Sequence, residues 1–179
     1  MLKNLFNIID RQLITKLSLL VLSLLISVLI ILNRNIFSEL KGYGLLGIFL
    51  ISIIGNSTIV VPAPVFLTAF VGGGLYSPFT VGIISALGAA IGELTGYMAG
   101  FGGEAFIKED KKYKKIKSWL ESNGFLTLFI LAAIPNPLFD IAGVCAGVMK
   151  YPIKKFLLAT VLGKTIKFTL IALAGAYSL

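Results

Sequence analysis

The sequence predicts an all-α integral membrane protein built as an inverted repeat of two re-entrant helical hairpins, each followed by a full transmembrane helix, with a further transmembrane helix at the N-terminus. Three observations carry this expectation. Hydrophobic residues make up 57% of the 179-residue chain and charged ones only 13%, with a mean hydropathy of +0.95, whereas water-soluble domains hold about one quarter charged residues. Some apolar runs are long enough to cross a bilayer, while others stop at half that length against proline and polar residues. Finally, the two short-armed regions match each other when offset along the chain.

Hydrophobic runs fill most of the sequence. The one long polar stretch, after Gly103, is too short to fold alone, so a single domain is expected. The 16 Lys+Arg against 8 Asp+Glu give a net charge of +8. Because these charges fall mostly beside membrane segments, they indicate topology and attraction to anionic lipid rather than nucleic acid. There is no histidine, and Cys145 is the single cysteine, which excludes a disulfide framework and His- or Cys-based metal sites. No cofactor is expected.

Residues 1–42 form an N-terminal cytoplasmic segment and an anchor. The uncharged run Leu17 to Leu32, with a few flanking residues, reaches the ~20 needed to cross ~30 Å of hydrocarbon. A signal peptide is the alternative, but its apolar region ends in small residues, whereas this run ends Ile31-Leu32-Asn33-Arg34. Lys3, Arg11 and Lys16 place the N-terminus inside.

A first hairpin is expected over 43–75. Its arms flank Gly55-Asn56-Ser57-Thr58 and Pro62-Ala63-Pro64, and each reaches only about mid-membrane at ~1.5 Å per residue. Asn56, Ser57, Pro62 and Pro64 form its tip, whose free backbone groups must be buried in protein or face a wet cavity. The alternative is a kinked spanning helix over Tyr43 to Pro62 with a second helix after it.

A full helix follows over 79–102. Gly88, Gly92, Gly96 and Gly100 recur every four residues, on one face where another backbone can approach. Glu93 lies near that face. A carboxylate inside a span costs ~2.5–3.5 kcal/mol on insertion scales, so it faces a partner or a wet cavity. The segment 104–123 holds six lysines with Ile116, Trp119 and Leu120 at helical spacing. This reads either as a basic amphipathic helix in the lipid interface, ended by Asn123-Gly124, or as a solvated loop. Both place it inside the cell.

The second hairpin is expected over 124–149, its arms separated by Pro135-Asn136-Pro137-Leu138-Phe139-Asp140. The last spanning helix, over 153–179, carries Lys164 and Lys167 on one face and leaves the C-terminus outside. Offset by 73 residues, Pro62, Pro64, Phe66, Ala69 and Gly74 align with Pro135, Pro137, Phe139, Ala142 and Gly147. The charge-derived topology brings the first hairpin in from outside and the second from inside, the inverted arrangement of many transporters. Glu93 and Lys164 each lie nine residues from the cytoplasmic end of their helix, about 13–14 Å deep. With Asp140 and Lys167 the charges sum to zero, so a buried cluster of these four is expected at the junction of the repeats. Helix starts near Pro64 and Pro137 would direct positive dipole ends at the tips and favour an anionic head group. Helix capping by Asn136 and Asp140 is the simpler alternative.

The stretch Ala132-Ala133-Ile134-Pro135-Asn136-Pro137-Leu138-Phe139-Asp140-Ile141-Ala142-Gly143, with Gly147 and Gly163-Lys164 after it, resembles the VTT-domain proteins of the DedA superfamily, closest to the vacuole membrane protein branch. The Gly-rich helix bearing Glu93 is similar too, so the resemblance covers residues 43–179. It implies two re-entrant hairpins with transmembrane helices, and movement of lipid between leaflets in the manner of a scramblase or a polyprenyl-phosphate flippase. Lys164 and Lys167 stand where bacterial relatives carry an arginine pair. The expected path is lined by Glu93, Pro135, Asn136, Pro137, Asp140, Lys164 and Lys167, in a multi-pass protein of the cell membrane. Expected partners are lipids with anionic head groups, with proton coupling and self-association left open. A proton- or ion-coupled solute exporter and a non-transporting scaffold are the other classes. An enzyme is not expected, since no nucleophile, base and orienting group stand at a recognisable spacing.

Overall fold

The computed structural model describes residues 44–57, 63–103 and 111–179. The expected N-terminal transmembrane helix over 17–32, the charges Lys3, Arg11 and Lys16, the tip residue Pro62 and Lys108 lie outside these. Among the described residues the chain forms six helices and no strand: α1 Gly44–Asn56, α2 Ala63–Leu75, α3 Pro78–Gly103, α4 Lys111–Ala133, α5 Leu138–Val148 and α6 Ile153–Ser178.

Length sorts them into two kinds. Helices α3 and α6 have 26 residues each and run about 39 Å, enough to cross hydrocarbon. Pro78–Phe101 and Ile153–Ser178 are apolar enough to do so. Helices α1 and α2 have 13 residues and α5 has 11, about 16–20 Å, which is not. Proline helps set the starts: Pro78 opens α3 and Pro152 precedes α6, each where a missing N–H costs nothing.

Helix α4 is two helices joined at Asn123, whose φ of −152° and ψ of 85° leave the helical region. The Asn123 side-chain oxygen accepts a hydrogen bond from the Leu126 N–H at 3.1 Å, so it caps the start of the apolar arm that follows. Before the kink, Tyr113, Ile116 and Leu120 are buried while Lys111, Lys112, Lys114 and Lys115 face outward. The amphipathic helix expected in this region is therefore present over its described part. Of the apolar positions expected there, Ile116 and Leu120 join Tyr113 in a core with Leu128, Cys145 and Phe156, while Trp119 stays exposed.

At the end of α5, the Lys150 N–H donates to the Gly147 carbonyl and the Tyr151 N–H to the Ala146 carbonyl. Lys150 itself has a φ of 52°. This is the reversal that usually takes glycine.

Helices α3 and α6 pack against each other along the centre of the molecule. Around them, α1 packs on α3 and α4 on α6, whereas α2 packs on α6 and α5 on α3. The first arm of each hairpin thus lies on the long helix that follows it, and the second arm crosses to the other long helix. Close backbone approaches come in matching pairs. A methyl at Gly100 of α3 would overlap the Val144 carbonyl of α5, and one at Gly147 of α5 would overlap the Tyr97 carbonyl of α3. In the same way Gly175 of α6 abuts Phe70 of α2, and Gly73 of α2 abuts Ala172 of α6.

The glycine stripe is not one continuous seam. Gly88 and Gly92 meet the α1 backbone and Gly100 meets α5, but among the described residues a methyl at Gly96 would meet nothing within 4 Å. Among the described residues no partner packs on Gly96, at whose level α3 changes partners from α1 to α5.

Two apolar clusters form. One joins Tyr97, Ile116, Leu128, Phe139, Cys145 and Phe156, the other Ile48, Val65, Val81, Ala86 and Phe168. Outward-facing residues are apolar too, with Leu158, Leu162, Ile166 and Leu170 of α6 forming an exposed stripe. A surface of this kind suits hydrocarbon rather than water.

Candidate functional site: a buried charge group between the hairpins

Between the two apolar clusters, α3 carries Glu93 after Ala89 and before Tyr97, and α6 carries Lys164 and Lys167 after Ala159 and before Phe168. All three charged side chains are buried, at 5%, 2% and 7% relative exposure. The Lys164 ammonium donates to a Glu93 carboxylate oxygen at 2.6 Å and to the Asn56 side-chain oxygen, also at 2.6 Å. Its third side lies over the Phe139 ring, 5.1 Å from the centroid. Charge-assisted bonds of this length are the strong ones, and both partners need them, because an unpaired ion here costs several kcal/mol.

The sequence places these groups for separable reasons. Asn56 ends α1 and its amide N–H donates back to the Ser52 carbonyl at 2.9 Å, which leaves its oxygen free for Lys164. Ser57 donates its hydroxyl to Ile53 O, and its own carbonyl accepts from Thr95 Oγ1 at 3.0 Å. The first tip is therefore tied to α6 through Asn56 and to α3 through Ser57. Pro64 sits half-buried in the first turn of α2.

The second tip differs. Asn136 donates to Leu131 O and Ile134 O and accepts from the Leu138 N–H at 2.8 Å. All of these bonds stay within its own loop, and the flanking Pro135 and Pro137 are exposed. Asp140 lies in the first turn of α5, within electrostatic reach of Glu93, Lys164 and Lys167, yet it makes no ion pair or hydrogen bond among the described residues. Lys167 makes none either. Its ammonium lies over the rings of Phe66 and Phe168, at 5.7 and 5.2 Å.

The structure thus brings together Glu93, Lys164 and Asn56 by direct contact, with Asp140 and Lys167 close around them. It places Asn136, Pro135 and Pro137 in loop closure, and Gly88, Gly92 and Gly100 in helix packing. Sequence reasoning had not singled out Thr95, nor the pairing of each lysine with one hairpin phenylalanine. The offset that aligns Phe66 with Phe139 was the available signal for the latter.

The VTT-domain family profile matches residues 61–177. Among curated proteins, vacuole membrane protein KMS2 of Arabidopsis thaliana is 40% identical over 103 residues, covering 47% of this chain and 25% of that protein. Vacuole membrane protein KMS1 of the same plant is 43% identical over 56 residues, 29% of this chain and 14% of its own. The vacuole membrane protein 1 homolog of Dictyostelium discoideum is 40% identical over 53 residues, 30% of this chain and 13% of its own. The chain therefore matches a quarter or less of the length of these relatives. No solved structure gives a significant match. With a profile match over most of the chain, two helices able to span and an apolar outer surface around a buried charge group, the chain is a membrane protein that belongs to the VTT-domain family.

Proposed function

We propose that the protein lets a phospholipid, or another lipid with a phosphate head group, pass between leaflets, the head group crossing by way of the buried charges. The observation that carries this reading is the convergence of both interrupted segments on one charge-compensated group: Asn56 from the end of α1, and Phe139 and Asp140 from the start of α5, all at Lys164. Charged residues inside a membrane are expensive and mark pathways. Broken helices that end at mid-depth belong where backbone lines a cavity.

In this reading the two hairpins are re-entrant and related as an inverted repeat. The crossed packing of α2 and α5, with their matched glycine contacts, supports that relation. The protein is multi-pass in the cell membrane with its N-terminus inside. The relatives' printed names point to the vacuole membrane, and cell fractionation decides between the two.

The test is reconstitution into vesicles carrying a fluorescent phospholipid. Wild-type protein should expose the inner-leaflet pool to an impermeant quencher added outside, with no proton gradient present. Movement that requires a gradient would favour the coupled exporter, and vesicles that stay half-protected would favour a scaffold.

A further inference from the structure

Apart from the buried group, the charges of the described residues collect at one end of the molecule. None of residues 44–57, 63–92 and 168–179 is charged. Lys111, Lys112, Lys114 and Lys115 are exposed on the first half of α4, and Lys150, Lys154 and Lys155 are exposed on the turn from α5 into α6. Four contacts join these segments to the end of α3 and to each other. The Tyr97 hydroxyl donates to the Tyr151 carbonyl at 2.6 Å. The Tyr151 ring fills the space at Gly124, where a methyl would overlap it, which sets the turn bearing Lys150 against the kink of α4. Gly147 abuts the Tyr97 carbonyl, and Cys145 Sγ approaches the Tyr113 carbonyl at 3.9 Å. Because Ile116 and Leu120 are held in the core, this half of α4 presents outward its lysines and Trp119. That ring is 39% exposed, with the Lys115 ammonium 5.1 Å from its centroid.

We propose that the lysine face of α4 and the α5–α6 turn form one docking surface for anionic phospholipids of the leaflet at that end, with phosphates seated against the lysines and Trp119 lying among the head groups. The surface is separate from the buried charge group, since Glu93 lies ten residues before the end of α3, and it does not depend on whether a lipid crosses. Position, charge and Trp119 select the leaflet rather than an acidic protein as the occupant. The surface sits where one end of each spanning helix lies, Gly103 of α3 and Ile153 of α6, which is head-group level for helices of this length. Glu121 is its one acid among the described residues. Even with Glu104, Lys108, Glu109 and Asp110 of the preceding stretch counted, this end keeps an excess of five positive charges, and basic clusters of this size hold anionic lipid. A tryptophan exposed among lysines belongs at a membrane interface, where its ring meets acyl chains and its N–H meets head groups. Lys150 points the same way: with a φ of 52° it puts a cation where glycine ordinarily closes a helix.

Trp119 is the only tryptophan in the chain, so its fluorescence reports on this surface alone. The experiment places the full chain in phosphatidylcholine vesicles containing a minority of phosphatidylglycerol. Bromine, which quenches tryptophan at contact, is carried on the acyl chains of either the glycerol lipid or an equal amount of the choline lipid. Wild type should be quenched more by the brominated glycerol lipid, with a local enrichment of about fivefold, the scale of one lysine at an anionic surface. Added salt should bring the two lipids toward parity. Replacing Lys111, Lys112, Lys114 and Lys115 together by Gln should abolish the preference while leaving the melting temperature in detergent unchanged, since all four are exposed. Arg at the same four positions should retain it, and Lys150→Gly should weaken it in part. Equal quenching by the two brominated lipids in wild type, or a preference that survives the fourfold Gln variant, overturns the proposal. So does a Trp119 quenched by neither lipid but open to acrylamide, which would set this face in water with an acidic partner as its match. None of these readings requires lipid to move between leaflets, so the docking surface and the passage reading stand or fall separately.

Discussion

Lys164 and Glu93, 71 positions apart in the chain, meet at 2.6 Å and bind α6 to α3 near the middle of both helices. Removing one partner leaves the other buried and uncompensated, which typically costs about 3–5 kcal/mol. Glu93→Gln and Lys164→Gln should therefore each lower the melting temperature sharply in detergent. The double variant should recover most of the loss, because two amides can hydrogen-bond without charge. A double variant no more stable than the worse single one would remove the pair from any account of folding.

Asn56 is the second acceptor on Lys164. Asn56→Ala should destabilise by about 1–3 kcal/mol, the usual cost of an unmet bond to a charged group. It should also make the first tip more accessible to thiol reagents placed at Ser57→Cys, because one of the two ties holding that tip is gone. Unchanged reactivity would mean that the Thr95 hydroxyl bond to the Ser57 carbonyl is enough to hold it.

Much of this arrangement was legible in the sequence, and the reasons differ by residue. Pro64, Pro135 and Pro137 mark where helices cannot continue, and the short arms follow from them. The equal depth of Glu93 and Lys164 came from counting residues to the basic ends of two long apolar runs, and the pair formed there. What the sequence withheld was contact between elements. A four-residue glycine period shows that one face is smooth but not what lies against it, and Gly96 falls where the neighbour changes from α1 to α5. Likewise the lysine-rich stretch reveals apolar residues at 116, 119 and 120, but not that Ile116 and Leu120 enter the protein's own core while Trp119 does not.

The two ends of the glycine stripe should respond differently to one added methyl group. Gly100→Ala drives a carbon into the Val144 carbonyl and should cost about 1–3 kcal/mol by overpacking. Gly96→Ala meets none of the described residues and should be neutral or stabilising by about 0.5–1 kcal/mol, through the lower flexibility of alanine in a helix. Thermal melts of the two variants in the same detergent are the comparison. Equal losses would contradict the change of partner.

Lys150 occupies a left-handed conformation at the end of α5, which costs a non-glycine residue roughly 1–2 kcal/mol. Lys150→Gly should therefore raise the melting temperature. If that variant also weakens binding to anionic vesicles, the strained backbone is retained for its charge, beside the exposed Lys154 and Lys155. A lower melting temperature would contradict the strain.

The orientation of the hairpins has its own check. With single cysteines in a Cys145→Ser background, Ser57→Cys should react only with an impermeant reagent outside the cell and Pro135→Cys only with one inside. Reaction of both from the same side would dismiss the inverted arrangement.

The crossing of α2 to α6 and of α5 to α3 has a consequence for biosynthesis. When the ribosome has delivered α1 to α3, the groove on α3 that receives α5 is still empty, and α2 touches α1 and α3 but lacks α6, the helix it packs on most. The first half must wait in the bilayer, incompletely packed, until the second is inserted. Two fragments divided between α3 and α4 should each be degraded when made alone and rescue one another when made together, as partners in an obligate heterodimer do.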